Sequence, residues 1–136
     1  MKYLKKFEKR KSDDIQKVDK KLIDAVIENN LDDVKKYLSM GANPNKKEDH
    51  YTAPMWCIMD FGKIPDYAEP EEKKHWMENK KSILIELINS KPDLYVKSEG
   101  MTFWDLLNQD AIDFMKNFPE ELEEYNFRSN IRKYNL

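Results

Sequence analysis

The sequence predicts an all-α protein, and three observations support that class. Only three glycines occur in 136 residues, and Leu, Ile, Glu and Lys recur three and four positions apart, as on amphipathic helices. The 40% hydrophobic content includes 12% aromatic residues, enough to bury a core although 37% of the chain is charged. A chain of this length fits one domain. We therefore expect residues 1–136 to form a single helical domain.

The segment from Leu22 to Leu38 predicts two short helices joined by a tight turn. Its apolar residues recur at helical spacing on both sides of Asn29-Asn30, and asparagine tolerates the left-handed backbone that ends a helix. The hairpin is expected to stop at Gly41, because residues 41–45 read Gly-Ala-Asn-Pro-Asn and both glycine and proline end helices. A polar loop, residues 46–50, follows.

These residues resemble an ankyrin repeat, a unit of about 33 residues that contains a turn and two helices. The similarity continues at residues 53–56, Ala-Pro-Met-Trp, where the family has Thr-Pro-Leu-His. A second copy, residues 83–107, contains Gly100-Met101-Thr102, which is similar to the family's next turn. Its loop reads as one residue shorter than the first, with Phe103 at the family's proline position.

The resemblance implies a short stack of about two to three ankyrin-like repeats over residues 22–108, with an insertion at about 62–81. The insertion follows from Leu87-Ile88, which stand 17 residues beyond the expected place of that apolar pair. One helix is expected from about 70 to about 89, since Pro70 opens it. Trp76 falls at helical spacing from Ile83 and Leu87, which predicts that its side chain joins the core.

Capping helices are expected at residues 1–21 and 109–136, because the end units of a repeat stack need polar outer faces. Apolar side chains suited to the two caps recur at Tyr3, Leu4, Phe7, Ile15, Val18 and Leu22, and at Phe114, Phe118, Leu122, Tyr125 and Ile131. The two loops, near residues 41–52 and 91–101, are expected on the same side of the stack.

Charge is distributed unevenly along the chain. Residues 22–127 hold twelve Lys or Arg against 22 Asp or Glu, a balance of −10, whereas the whole chain carries −2. An acidic body of this kind repels nucleic acid and attracts basic surfaces. The sequence has no apolar run suited to a signal peptide or membrane span, and one cysteine cannot form an internal disulfide. We therefore expect a cytoplasmic protein.

The sequence contains no pattern typical of a catalytic, metal or cofactor site. His50 and His75 have no second ligand at metal-binding spacing, and Cys57 has no histidine beside it to lower its pKa. Paired acids such as Glu71-Glu72 precede or open helices, where carboxylates interact favourably with the helix dipole. We expect a protein that is not an enzyme, with no catalytic residues, metal or cofactor.

The resemblance implies that partners bind the loop tips and the inner face of each first helix. Carried over by position, it assigns Lys47, Glu48, Asp49, His50 and Tyr51 in the first loop, Lys97, Ser98 and Glu99 in the second, and Asp24, Glu28 and Asp60 on the inner faces. Tyr51 is the expected anchor, because aromatic residues contribute most to interface energetics.

The expected function is therefore protein–protein interaction. The small size and acidic body favour a cytoplasmic immunity or inhibitor protein that neutralises a basic toxin or nuclease. A scaffold or regulatory adaptor explains the same residues. An alternative from a different class, a nucleic-acid or membrane-surface binder, depends on the basic termini, among them residues 2–11.

Overall fold

The computed structural model describes residues 17–63 and 67–134, with side chains as far as residue 129. Helix α1 occupies residues 17–27. Helices α2 to α6 span Leu31–Ser39, Ala53–Met59, Pro70–Asn89, Gln109–Met115 and Pro119–Tyr134, and a 3-10 helix, Phe103–Leu106, lies between α4 and α5. The described residues contain no β-strand, only two isolated β-bridges. The predicted all-α stack is confirmed.

The predicted helical hairpin is formed by α1 and α2. Asn29 adopts a left-handed backbone, with φ of 58°, which reverses the chain in a single tight turn. Asn30 caps α2, and its side chain accepts a hydrogen bond from the main-chain N–H of Asp33 at 3.1 Å. Helix α1 continues without a break across residue 21, where the sequence suggested the end of a capping helix.

The long fourth helix is also as predicted. It begins at Pro70 and ends at Asn89, within a residue of the expected bounds, because proline suits the first turn of a helix. Its C-terminal half is buried, with Leu84 and Leu87 both at 0% exposure, and packs against α2 and α3. The N-terminal half belongs to the insertion and is largely exposed.

One apolar core connects the helices. Val34 of α2, Ile58 of α3 and Leu84 of α4 are each fully buried in it, so each helix contributes its apolar face. At the C-terminal end the predicted cap residues Phe114, Phe118, Leu122 and Tyr125 pack against this core. At the N-terminal end Val18 and Leu22 do the same. The predicted positions Tyr3, Leu4, Phe7 and Ile15, and the side chain of Ile131, lie outside the described part of the chain.

The prediction that Trp76 joins the core is wrong. Trp76 is half-buried, and the neighbouring Met77 is the residue that packs against the core at this level. Trp76 and Met77 stand seven residues before the buried Ile83 and Leu84, so helical spacing gave the buried face only to within one position. Trp76 instead lines an open hollow beside Asn29.

The prediction that the second loop is one residue short is also wrong. The β-bridge between Glu48 and Tyr51 has its counterpart between Ser98 and Met101, and left-handed residues 49–50 correspond to 99–100, so each pair is separated by 50 positions. Thr102 therefore corresponds to Thr52, and Phe103 to Ala53. The family's Thr-Pro pair aligns with Ala53-Pro54 in the first unit and with Thr102-Phe103 in the second. That pairing is offset by one residue from the match of the backbone turns. The last nine residues of α4 correspond to helix α2. The residues of the insertion therefore all lie before them.

Replacing Leu87 by alanine should lower the free energy of unfolding by about 2–5 kcal/mol, because it empties a fully buried site. Ile85 is on the same helix but 38% exposed, so Ile85→Ala should cost under about 1 kcal/mol. Urea denaturation of both variants measures this difference. Equal losses would contradict the assignment of the buried face of α4.

Candidate functional site: the paired fingers

The two loops that connect the helical units lie side by side. We name residues 41–52 the first finger and residues 91–101 the second finger. The main-chain N–H of Asp93 donates to Asn45 Oδ1 at 2.6 Å. Ser98 Oγ donates to the carbonyl of His50, and Lys47 Nζ donates to the carbonyl of Lys97. The prediction that both loops share one side of the stack is confirmed by these contacts.

Each finger is shaped by the same local hydrogen bonds. Asn43 Oδ1 accepts from the N–H of Asn45 at 2.9 Å, and Asp93 Oδ1 accepts from the N–H of Tyr95 at 2.8 Å. Short polar side chains of this type bond to the backbone two residues on and stabilise turns. At the first tip, Glu48 and Tyr51 exchange main-chain hydrogen bonds of 3.0 and 3.2 Å. Both fingers are therefore ordered turns.

The first finger is also attached to the helices beneath it. Trp56 Nε1 of α3 donates to the carbonyl of Glu48 at 3.1 Å, and its ring meets that of Tyr51 edge to face, with centroids 5.4 Å apart. At the base of the finger, the N–H of Asn43 donates to Asp19 Oδ1 of α1 at 2.6 Å. The first finger is thus fixed at its tip by α3 and at its base by α1.

Most of the predicted partner-binding residues are accessible. The side chains of Glu48, Tyr51 and Asp60 are half-buried, and those exposed to solvent are Lys47, Asp49, His50, Lys97, Glu99, Asp24 and Glu28. Tyr51 keeps one edge on Trp56, which restricts its motion and suits an anchor of low entropy cost.

Ser98 has to be removed from the predicted contact set. Its side chain is 3% exposed, and its hydroxyl is bonded to the carbonyl of His50 in the neighbouring finger. A serine in this position joins the fingers and has no surface to offer a partner. The loop position predicted its location but not the direction of the side chain.

Glu28 does not lie with the fingers. It follows the last residue of α1, and its N–H donates to the carbonyl of Asp24 at 2.9 Å. Asp19, which contacts the first finger, lies nine residues earlier, about 14 Å along a helix at 1.5 Å per residue. Glu28 therefore lies at the end of α1 away from the first finger, while its spacing of four residues from Asp24 keeps these two residues on one face.

The fingers depend on three residues that were not in the predicted site. Asp19, Asn45 and Trp56 make the contacts that position the finger backbone. Asn45 belongs to the Gly-Ala-Asn-Pro-Asn loop of residues 41–45, so the sequence contained a signal for it. The partner of Asp19 is 24 residues away in sequence, so only the folded chain reveals that contact.

The single cysteine and the two histidines all lie within the described residues. Cys57 is fully buried, and burial raises the pKa of its thiol to about 12, with nearby Lys80 lowering it and Asp60 raising it. His50 and His75 are exposed. Within residues 17–63 and 67–134 no three side chains of His, Cys, Asp or Glu cluster in a way that suits a metal ion. None of the described helices combines the length and apolarity needed to cross a membrane.

Comparison with known proteins leaves these contacts as the main guide to function. No protein-family model, curated protein or solved structure matches the chain.

Asn45→Ala should remove the hydrogen bond between the fingers and lower the free energy of unfolding by about 1 kcal/mol. Amide exchange at Asp93 should speed up, because its N–H loses its acceptor. Asn43→Ala is the control, since it removes a bond within one finger. Unchanged exchange at Asp93 in the Asn45 variant would show that the fingers are not coupled.

The raised pKa of Cys57 predicts slow thiol alkylation at pH 8, with modification only as the protein unfolds. Because the pKa of this thiol is higher in the folded protein than in the unfolded chain, the unfolded chain loses the proton first. The folded state is therefore stabilised below pH 9, and this contribution is lost as the pH rises toward 12. The free energy of unfolding should therefore fall by roughly 1 kcal/mol per pH unit in this window, and by less in Cys57→Ala. Rapid alkylation of the folded protein would contradict this.

Proposed function

We propose that this chain is a protein-interaction module of the ankyrin-repeat type and that the paired fingers are its contact surface. Support comes from the order of its parts: a helical hairpin, a finger with a tight turn, and a second hairpin and finger with the same backbone geometry. In repeat proteins the loops lie on one face of the stack, and this is often the binding face.

The observation that carries this proposal is the hydrogen bonding between the fingers. Asn45 accepts from the main chain of Asp93, and Ser98 donates to the main chain of His50. Since the tips are already ordered, a partner does not have to restrict them on binding, and the entropy cost of association is lower. Solvent-exposed loops held in this way on a scaffold are typical of binding surfaces.

The charges of the fingers favour a partner with a basic surface. Two cations are directed at the protein itself: Lys47 Nζ donates to the carbonyl of Lys97, and Lys46 Nζ lies 3.9 Å from Asp19 Oδ2. Asp49 and Glu99 are exposed at the tips. With a balance of −10 over residues 22–127, the module would attract a cationic protein and orient it during encounter.

Within this class we propose an immunity or inhibitor protein that covers the basic active site of a toxin or nuclease. A small acidic module without a reactive thiol or a metal cluster in its described residues suits masking. A scaffold or adaptor would use the same fingers. The two differ in outcome, because an inhibitor abolishes the activity of its captured partner and a scaffold leaves it intact.

Simultaneous reversal of Glu48, Asp49 and Asp60 to lysine should slow association with a partner captured by the wild-type protein. The association rate of the wild type should also fall as salt rises, because charges separated by more than about 8–10 Å are screened at physiological ionic strength. Surface plasmon resonance at several salt concentrations measures both effects. Dissociation should change less than association.

The matched control replaces Glu78, Glu86 and Glu123 by lysine. These replacements change the net charge by the same amount, but on helices α4 and α6, outside the fingers. Both triple variants should retain the melting temperature of the parent. An association rate that responds equally to the two triple variants would contradict a contact at the first finger and the adjoining helix α3, and would leave only the net charge as the cause.

A further inference from the structure

A cleft of a different kind lies at the opposite end of the helices from the fingers. It consists of two adjoining hollows of about 450 and 530 Å³ between the α1–α2 turn and the N-terminal half of α4. Asn29, His75 and Asn79 line both hollows. The first half of α4 is the inserted part of that helix, so the insertion creates this cleft.

Two asparagines fix the walls of the cleft. Asn29 Nδ2 donates to the carbonyl of Trp76 at 3.1 Å, and Asn79 Nδ2 donates to the carbonyl of Asn29. Asn29 is also the left-handed residue of the turn, with φ of 58°. The turn and the inserted helix are therefore held in register by side-chain bonds to main-chain carbonyls.

Two residues that line the cleft, Asn29 and Trp76, each have a buried polar atom with no hydrogen-bond partner among the described residues. Asn29 is 7% exposed, and its Oδ1 has no hydrogen-bond partner among the described residues. The indole Nε1 of Trp76 is buried and equally without a partner in that part of the chain. Buried polar atoms are nearly always bonded, and leaving one unbonded costs free energy. A ligand that supplies both a donor and an acceptor is indicated.

The negative charge of the cleft indicates which kind of ligand group would donate to Asn29 Oδ1. Glu71 and Glu72 line one hollow and Glu28 and Asp32 the other, while neither lining includes a lysine or arginine. These carboxylates come from the end of α1, the start of α2 and the start of α4. A cation with several N–H groups satisfies them together with Asn29 Oδ1. Lys80 Nζ lies 6.0 Å from the centroid of the Trp76 ring, so the ring itself already has a cation of the protein beside it.

We propose that this cleft binds an arginine side chain of a protein partner together with the main-chain carbonyl beside it. The guanidinium has five donors in a planar fork for Asn29 Oδ1 and the carboxylates. The carbonyl accepts from the Trp76 indole. A peptide segment provides both groups at once, which an isolated cation does not. That the partner is a protein rests on the proposed function, but the cleft itself is separate from the fingers.

The test uses a blocked tripeptide, acetyl-Gly-Arg-Gly-amide, titrated into the full chain and followed by NMR. The indole N–H of Trp76 and the side-chain amide of Asn29 should shift in fast exchange, with a dissociation constant of about 1–10 mM for so small a ligand. The indole signals of Trp56 and Trp104 should stay in place. The same peptide with citrulline, which is neutral and nearly isosteric, should bind at least roughly fivefold more weakly.

Two double variants provide a matched comparison. Pro70-Glu71-Glu72 opens α4, and Pro119-Glu120-Glu121 opens α6 in the same way. Glu71→Gln with Glu72→Gln should weaken peptide binding roughly fivefold, because two exposed charges are lost at the cleft. Glu120→Gln with Glu121→Gln removes the same charge at the same helical positions and should change nothing. Both pairs are exposed or half-buried, so both variants should fold.

Three results would overturn the proposal: no shift at Trp76 and Asn29, equal affinity for the citrulline peptide, or a larger loss in the α6 variant than in the α4 variant. None of these bears on the fingers, because no partner protein is needed. Conversely, a failure of the finger variants to affect partner binding leaves the peptide titration intact, so the two proposals fail separately.

Discussion

The packing of the C-terminal half of α4 against α2 and α3 is the interaction on which the rest of the structure depends. Leu84, Leu87 and Ile88 are buried there at 1% exposure or less, and α4 contacts both earlier helices. This half of α4 corresponds to the nine residues of α2, while its first half belongs to the insertion. One helix therefore completes the helical layer and carries an added element outside it.

The order of the fingers follows from that packing. The ends of α2 and α4, Ser39 and Asn89, are fixed by the core, and each is followed by a left-handed residue, Gly41 or Lys91. The loops leave the layer in parallel and come close enough for Asn45 to bond the main chain of Asp93. The proposed contact surface is thus a consequence of helix stacking, and its exposed charges lie on a backbone that is already fixed.

The added half of α4 gives the chain a second polar surface, at the other end of the helices. There Asn29 joins the α1–α2 turn to Trp76. Acidic residues line the same hollows as Asn29 and Trp76, whose Oδ1 and Nε1 have no hydrogen-bond partner among the described residues. Trp76 explains why the insertion is more than a spacer. Helical spacing predicted that its ring lies in the core, but the ring lies in the wall of the cleft.

The sequence by itself determined the helical class, the hairpin turn at Asn29, the start of α4 at Pro70 and the two finger loops, because these depend on local backbone preferences and on apolar spacing. It also identified most exposed finger residues, since loop tips face solvent. Tertiary structure alone decided that Ser98 turns inward, that Glu28 lies away from the fingers, that Trp76 leaves the core and that the two loops match residue for residue. The first three depend on contacts between groups some 24 to 50 residues apart, which no local pattern encodes. The match of the loops is seen in their backbone turns and bridges, which the residue types did not identify.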